Sequence, residues 1–184
     1  MRITGGIYRG RKLSSPKGLV LRPTLDRVRE ALFNILASRV HGANFLDCFG
    51  GTGAVGLEAI SRGAARVVII EENRKFAAMI QRNATALEAE PTLICADFFK
   101  STAKLHADYL PFEIAFVDPP YLSGVQEQVL ESLSERNLIS EDGVVIVEHD
   151  KRKPIADHVA DLVRVDERAY GETVLSFYEP GKSI

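Results

Sequence analysis

From Gly42 onward the chain alternates two hydrophobic periodicities. Short, nearly continuous apolar runs occupy residues 44–48, 66–71, 92–95, 113–118 and 144–148. Runs of this kind predict strands of a parallel sheet whose two faces are both covered. Between them, residues 55–62, 74–87, 101–107 and 125–136 place apolar side chains at helical spacing. Strand–helix alternation predicts an α/β fold with a doubly wound, Rossmann-like sheet. The tail breaks the alternation: residues 162–169 and 173–178 flank Tyr170-Gly171-Glu172. This pattern predicts a closing hairpin that adds an antiparallel strand to the sheet.

The first 42 residues read differently. Residues 2–4 and 7–13 are broken by Gly5-Gly6 and interleaved with Arg and Lys, which predicts a small β-hairpin or extended arm ending at Ser14-Ser15-Pro16. Arg22-Pro23-Thr24 stops that segment, and Thr24 is a candidate helix N-cap with Asp26 in the first turn. Val28, Leu32, Ile35, Leu36 and Val40 then define an amphipathic helix ending near Gly42. The expected organisation is a basic arm and helix over residues 1–42, part of the same globule as an α/β domain over 43–184.

Length and composition narrow the class. At 184 residues, one domain with a sizeable core is expected. No apolar run reaches the ~18 residues of a membrane span, and the amino terminus lacks the apolar stretch of a signal peptide. Cys48 and Cys95, far apart in sequence, read as buried residues of a reducing compartment, so a cytoplasmic protein is expected. Charge is unevenly spread: residues 1–40 hold nine Lys or Arg against Asp26 and Glu30, a net +7, whereas residues 41–184 carry −9. Such asymmetry suggests an anionic partner for the basic segment.

The first strand runs into Asp47-Cys48-Phe49-Gly50-Gly51-Thr52-Gly53-Ala54-Val55-Gly56. Glycines here let backbone approach a ligand at a helix N-terminus, the setting of a nucleotide pocket. Gly51, Gly53 and Gly56 also spell the dinucleotide fingerprint, with Glu71 twenty residues beyond Gly51, so an NAD(P)-dependent oxidoreductase is one reading. Asp47 favours another. A carboxylate at that place repels a pyrophosphate but can hold the ammonium of S-adenosylmethionine. Glu71, closing the second strand, suits the ribose hydroxyls of either cofactor. Asp97, after the third strand, can accept from an adenine amino group with Phe98 packed beside the ring; taken alone, it reads first as a helix N-cap.

Asp118-Pro119-Pro120-Tyr121 ends the fourth strand. Two prolines remove backbone donors and hold the chain extended, leaving carbonyls without ladder partners. Asp118 and the Pro119 carbonyl then form a rigid acceptor pair, and Tyr121 offers a stacking face. Two acceptors on a nucleobase amine can turn its lone pair toward a methyl donor and stabilise the positive charge that grows during transfer. His41, His106, His149 and His158 show no metal-ligand spacing, and His149 reads as a surface residue.

With those motifs in order, the chain resembles the bacterial small-subunit rRNA guanine-N2 methyltransferase D family (RsmD). The resemblance spans nearly the whole sequence. It is carried by Gly5-Gly6 and Arg9-Gly10-Arg11, by Arg22-Pro23-Thr24 with residues 26–34, by residues 58–64, by Asp118–Tyr121 and by Tyr170-Gly171. Gly50, Thr52 and Cys48 depart from the residues common in the family. The resemblance implies methylation of one guanine of 16S rRNA, position 966, within a small ribosomal subunit or its assembly intermediate. S-adenosylmethionine is the expected cofactor, with no metal, and a monomer is expected. On this reading Asp47, Gly50, Gly51, Thr52, Gly53, Glu71, Asp97 and Asp118 hold the cofactor. Asp118, Pro119, Pro120 and Tyr121 carry the chemistry, and Arg2, Arg9, Arg11, Lys12, Lys17, Arg22 and Arg27 meet RNA phosphates. Another rRNA guanine, adenine N6 of DNA, the oxidoreductase and a non-catalytic rRNA-binding assembly factor are the alternatives.

Overall fold

A computed structural model describes residues 1–16, 23–108, 111–120 and 124–181. Its centre is one eight-stranded sheet in the order β3-β2-β1-β4-β5-β8-β7-β6. The strands are β1 (Asn44–Asp47), β2 (Arg66–Ile70), β3 (Thr92–Ile94), β4 (Phe112–Val117), β5 (Ile139–Asp150), β6 (His158–Val159), β7 (Leu162–Tyr170) and β8 (Thr173–Pro180). The first five pair in parallel. β5, β8, β7 and β6 follow as antiparallel neighbours. The doubly wound arrangement is as the periodicity predicts, but the antiparallel part is larger than one hairpin. β6 was invisible in sequence because two residues carry no period. β5 begins five residues before its apolar run, where Ile139 pairs with Phe112 before a register shift.

The chain runs outward from β1 to β3, then returns to lay β4 against the other side of β1. That reversal is a topological switch point, where the crevice beyond the strand ends takes ligands. Asp47 ends β1 beside Phe116 of β4, so Asp118 lies just past the neighbouring strand end.

Helices α1 (Pro23–Ile35), α2 (Ala37–Val40), α3 (Ala54–Ser61), α4 (Arg74–Leu87), α5 (Phe98–Asp108) and α6 (Val125–Glu135) supply the outer layers. One face of the sheet packs Val68, Val117, Val145 and Val147 against Leu105, Val129, Leu130 and Leu133. The other packs Phe45, Ile114, Phe116 and Ile146 against Val28, Leu32, Phe33, Leu36 and Val40. The expected amino-terminal helix thus forms a layer of the core, broken at Leu36 into α1 and α2. Ile35 falls outside its apolar stripe and is exposed. Thr24 lies where no side chain is described.

The arm contracts to one antiparallel bridge, Arg2 with Lys12, around a glycine-rich turn. It is docked rather than free: Ile3 and Leu13 are buried against Ala54, Leu57, Ala84 and Leu87. Gly6 takes φ +76°, and a Cβ there would stand 1.7 Å from the Ser61 carbonyl oxygen. Only glycine allows that approach. Of the cysteines, Cys48 is buried as expected, but Cys95 is exposed, since β3 ends one residue before it.

Candidate active site

At the switch point a cavity of about 770 Å³ opens beyond β1, β2, β4 and β5. Asp47, Gly50, Gly51, Thr52, Glu71, Asp97, Asp118, Pro119 and Pro120 all line it. Gly53 is buried and is not part of the lining; it takes φ +78° as the residue that turns the loop into α3. Tyr121 lies outside the described residues, as do Lys17 and Arg22.

Asp47 is almost wholly buried, and its Oδ2 accepts from the Gly56 N–H at 3.0 Å. Burial pushes its carboxyl up to about 7, against the opposing pull of the Gly56 and Phe49 amides. Glu71 holds the glycine loop: Oε2 accepts from Gly51 N and Oε1 from Asn73 N, both at 2.7 Å. Each oxygen keeps a further lone pair for a ligand hydroxyl. Asp97 is a helix cap and a cavity residue at once, its Oδ1 accepting from Lys100 N at 3.0 Å ahead of α5. Phe98 is buried, stacked on Phe49 at 5.5 Å, whereas Phe99 is exposed and meets Phe98 edge-on. A flat ring entering here therefore finds Phe99 as the more open aromatic.

Past β4, Asp118 is exposed and opens onto the cavity. On β5, half-buried Glu148 reaches the same cavity. Burial raises both carboxyls above the ordinary range, and the Asp118 charge raises Glu148 further. Sequence reasoning passed over Glu148. The available signal was its position: like Asp47, Glu71 and Asp118, it is an acid closing an apolar strand. Among the described residues no cation pairs with Asp47, Asp118 or Glu148. The cavity thus gathers three carboxyls with raised proton affinity, none of them in an ion pair among the described residues.

The amino-terminal segment completes the wall, with Met1, Val28, Arg29 and Leu32. Thr52 Oγ1 donates to Met1 Sδ at 3.4 Å. Asn83 ties arm to loop, donating to the carbonyls of Ser14 and Thr52 at 3.1 and 3.2 Å and accepting from Ser14 N at 2.8 Å. Arg29 is no surface cation: it is buried and bonds Glu58 at 3.3 Å. Fully buried Glu58 also accepts from Thr4 N, Thr4 Oγ1, Gly5 N and Arg62 Nε at 2.7–2.9 Å. Arg9, Lys12 and Arg27 are exposed with no bonded partner among the described residues. Arg2 and Arg11 are exposed too, but bond the carbonyls of Gly10 and Ala86, which leaves their charge uncancelled. His149, expected at the surface, is buried with Nε2 2.9 Å from Ser176 Oγ and Nδ1 3.1 Å from the Lys153 carbonyl.

The fold and the place of the acids at its switch point are those of a class I methyltransferase. Structural similarity agrees: "Putative methyltransferase yhhF" from Escherichia coli superposes with a TM-score of 0.87 at 32% identity, covering 100% of this chain and 99% of that one. SMU.776, in its complex with SAH, shares the fold at a TM-score of 0.62 and 16% identity, covering 83% of this chain and 48% of that one.

Residues 1–179 match the family model described as conserved hypothetical protein 95. The ribosomal RNA small subunit methyltransferase D of Escherichia coli (strain K12) is 35% identical over 97% of this chain and 89% of its own. The protein of the same name from Haemophilus influenzae is 34% identical over 84% of this chain and 81% of its own. The chain belongs to this methyltransferase D family.

Proposed function

We propose that the chain moves a methyl group from S-adenosylmethionine to the exocyclic N2 of a guanine in 16S rRNA, guanine 966 by family resemblance. Family membership supports the coarser statement, an S-adenosylmethionine-dependent rRNA methyltransferase. The observation that carries the cofactor is the set of raised carboxyls, outside any ion pair, in one cavity. Desolvated acids outside any ion pair favour a cationic ligand and disfavour a pyrophosphate. A literal dinucleotide fingerprint does not outweigh that electrostatic demand.

When bound, S-adenosylmethionine supplies a methyl group on cationic sulfur, open to attack by a nitrogen lone pair. Asp47 and the loop at Gly50, Gly51 and Thr52 take the methionine end, with Gly53 shaping the turn. Glu71 accepts from the ribose hydroxyls, and Asp97 from the adenine amine. Asp118 and the Pro119 carbonyl accept from the two hydrogens of the guanine amine and aim its lone pair. Pro120 holds the segment extended, and Tyr121 stacks on the base. As positive charge grows on the nitrogen, Asp118 stabilises it and receives the shed proton, directly or through water. The target guanine must be unpaired or flipped to reach the cavity. Residues 1–42 serve RNA binding: Arg9, Lys12 and Arg27 offer free charges to phosphates, with Arg2, Arg11, Lys17 and Arg22 along the same segment. The working context is the cytoplasm, on a small subunit or its assembly intermediate, with the enzyme as a monomer.

The test is to supply methyl-labelled S-adenosylmethionine with small subunits, naked 16S rRNA or DNA. Label on rRNA supports the reading. Label confined to adenine in DNA keeps the chemistry and overturns the target.

A further inference from the structure

We propose that Glu148 is a specificity-determining residue that accepts the guanine N1–H and so selects guanine over purines with a bare N1. This rests on the guanine-N2 reading above. Val117, the last residue of β4, and Val147 of β5 are registered partners in parallel strands; Asp118 follows directly beyond β4 and Glu148 is the next residue of β5. Neighbouring strands lie about 4.8 Å apart, and registered positions face the same way. Both side chains line the one cavity. The fold therefore sets two carboxyls side by side at its mouth.

That spacing suits one base edge. Guanine presents two adjacent donor groups, N1–H and the N2 amine, and two neighbouring carboxyls can accept from both. With Asp118 on the amine, Glu148 falls beside N1. Adenine offers a lone pair at N1 next to its amine, which repels Glu148 once that carboxyl has lost its proton. A group built to receive a donor rejects an analogue lacking it, because the buried acceptor is left unpaired. Nothing among the described residues donates a hydrogen bond to Glu148, so its oxygens are open to a ligand. Asp118-Pro119-Pro120 holds an amine but does not read the ring, so selection has to come from a neighbour. Among the acids lining the cavity, Glu148 is the one next to Asp118 on the side away from β1.

The experiment compares guanine with 2-aminopurine, which keeps the N2 amine but carries a lone pair at N1. Small subunits are reconstituted on 16S rRNA holding either base at the methylated position, and label transfer is measured above about pH 8, where Glu148 is ionised, with wild type, Glu148→Gln and Glu148→Ala. Wild type is expected to prefer guanine by about tenfold to a hundredfold. In Glu148→Gln the amide can donate to N1 of 2-aminopurine, so the preference should shrink at least tenfold, with 2-aminopurine transfer rising in absolute rate. Glu148→Ala should lose guanine transfer without that gain. S-adenosylhomocysteine binding reports that each variant is folded. Equal wild-type rates on the two bases, or a guanine preference unchanged in Glu148→Gln, would overturn the role of Glu148 and leave guanine methylation standing. Wild-type transfer to neither base would bring down the guanine reading and this inference with it.

Discussion

Arg29 of α1 and Glu58 of α3 form a buried ion pair at 3.3 Å that fastens the amino-terminal segment to the methyltransferase core. Glu58 is satisfied on every side by Thr4, Gly5, Arg29 and Arg62. Its network joins the basic arm to the helix that follows the glycine loop. Removing one member of a buried pair strands the other, which typically costs about 3–5 kcal/mol. Glu58→Ala is expected to fall in that range by chemical denaturation and to expose the arm to proteolysis before the rest of the chain unfolds. An arm that stays protected would mean that its apolar packing through Ile3 and Leu13 suffices.

Asp118 can be separated from cofactor binding. Asp118→Ala should lower methyl transfer by at least about 10²-fold, the scale of losing one aimed electrostatic partner. Affinity for S-adenosylhomocysteine should stay within a few-fold of wild type by titration calorimetry. Joint loss of binding and transfer would assign Asp118 to holding the cofactor rather than the amine.

The raised carboxyls make pH a probe. Asp47, held near 7 in the folded chain, keeps its proton over a range in which its unfolded counterpart has lost it. The folded state therefore binds more protons between about pH 4 and 7, and stability without cofactor should fall as pH rises through that window. A cationic ligand reverses the balance by favouring the charged carboxylates. S-adenosylmethionine should bind more tightly at pH 8 than at pH 6 and release protons on binding at pH 6. Calorimetry in two buffers of different ionisation enthalpy measures that release. A pH-independent affinity would contradict the electrostatic role of these acids.

The arm's contribution is electrostatic and so depends on salt. Changing Arg9 and Lys12 to Ala should reduce the slope of log affinity for 16S rRNA against log salt by about 0.7–0.9 for each phosphate no longer neutralised. Neither side chain bonds another described residue, so thermal stability should be unchanged. A slope unaltered in the double variant would remove the arm from the RNA interface.

Much of this architecture was legible in the sequence for a physical reason. Strands buried on both faces are apolar throughout, so β1, β2 and the central part of β5 announce themselves, and α4 falls at residues 74–87 as its helical period predicts. Asp47, Glu71 and Asp118 stood out because an acid that closes an apolar strand has to face the crevice. Glu148 closes the run at 144–148 by the same grammar, but its neighbours His149 and Asp150 make it read as part of a polar loop. The structure carries β5 through that stretch, pairing it with β8 as far as Asp150. Buried polar pairs were not legible. Arg29 and Glu58 look like solvated helix charges, and His149 like a surface histidine, because their partners lie 29 and 27 residues away in sequence. Residues 1–42 are expected in the same globule, but the partners that dock the arm, such as Ser61 and Glu58, were hidden for the same reason.

Guanine-N2 methylation is tested most sharply by incubating the enzyme with methyl-labelled S-adenosylmethionine and small subunits lacking this modification, digesting the rRNA to nucleosides, and mapping the labelled position. Label is expected in N2-methylguanosine at a single site of 16S rRNA, and none with Asp118→Ala. Label in any other nucleoside, or label undiminished by Asp118→Ala, would contradict that assignment.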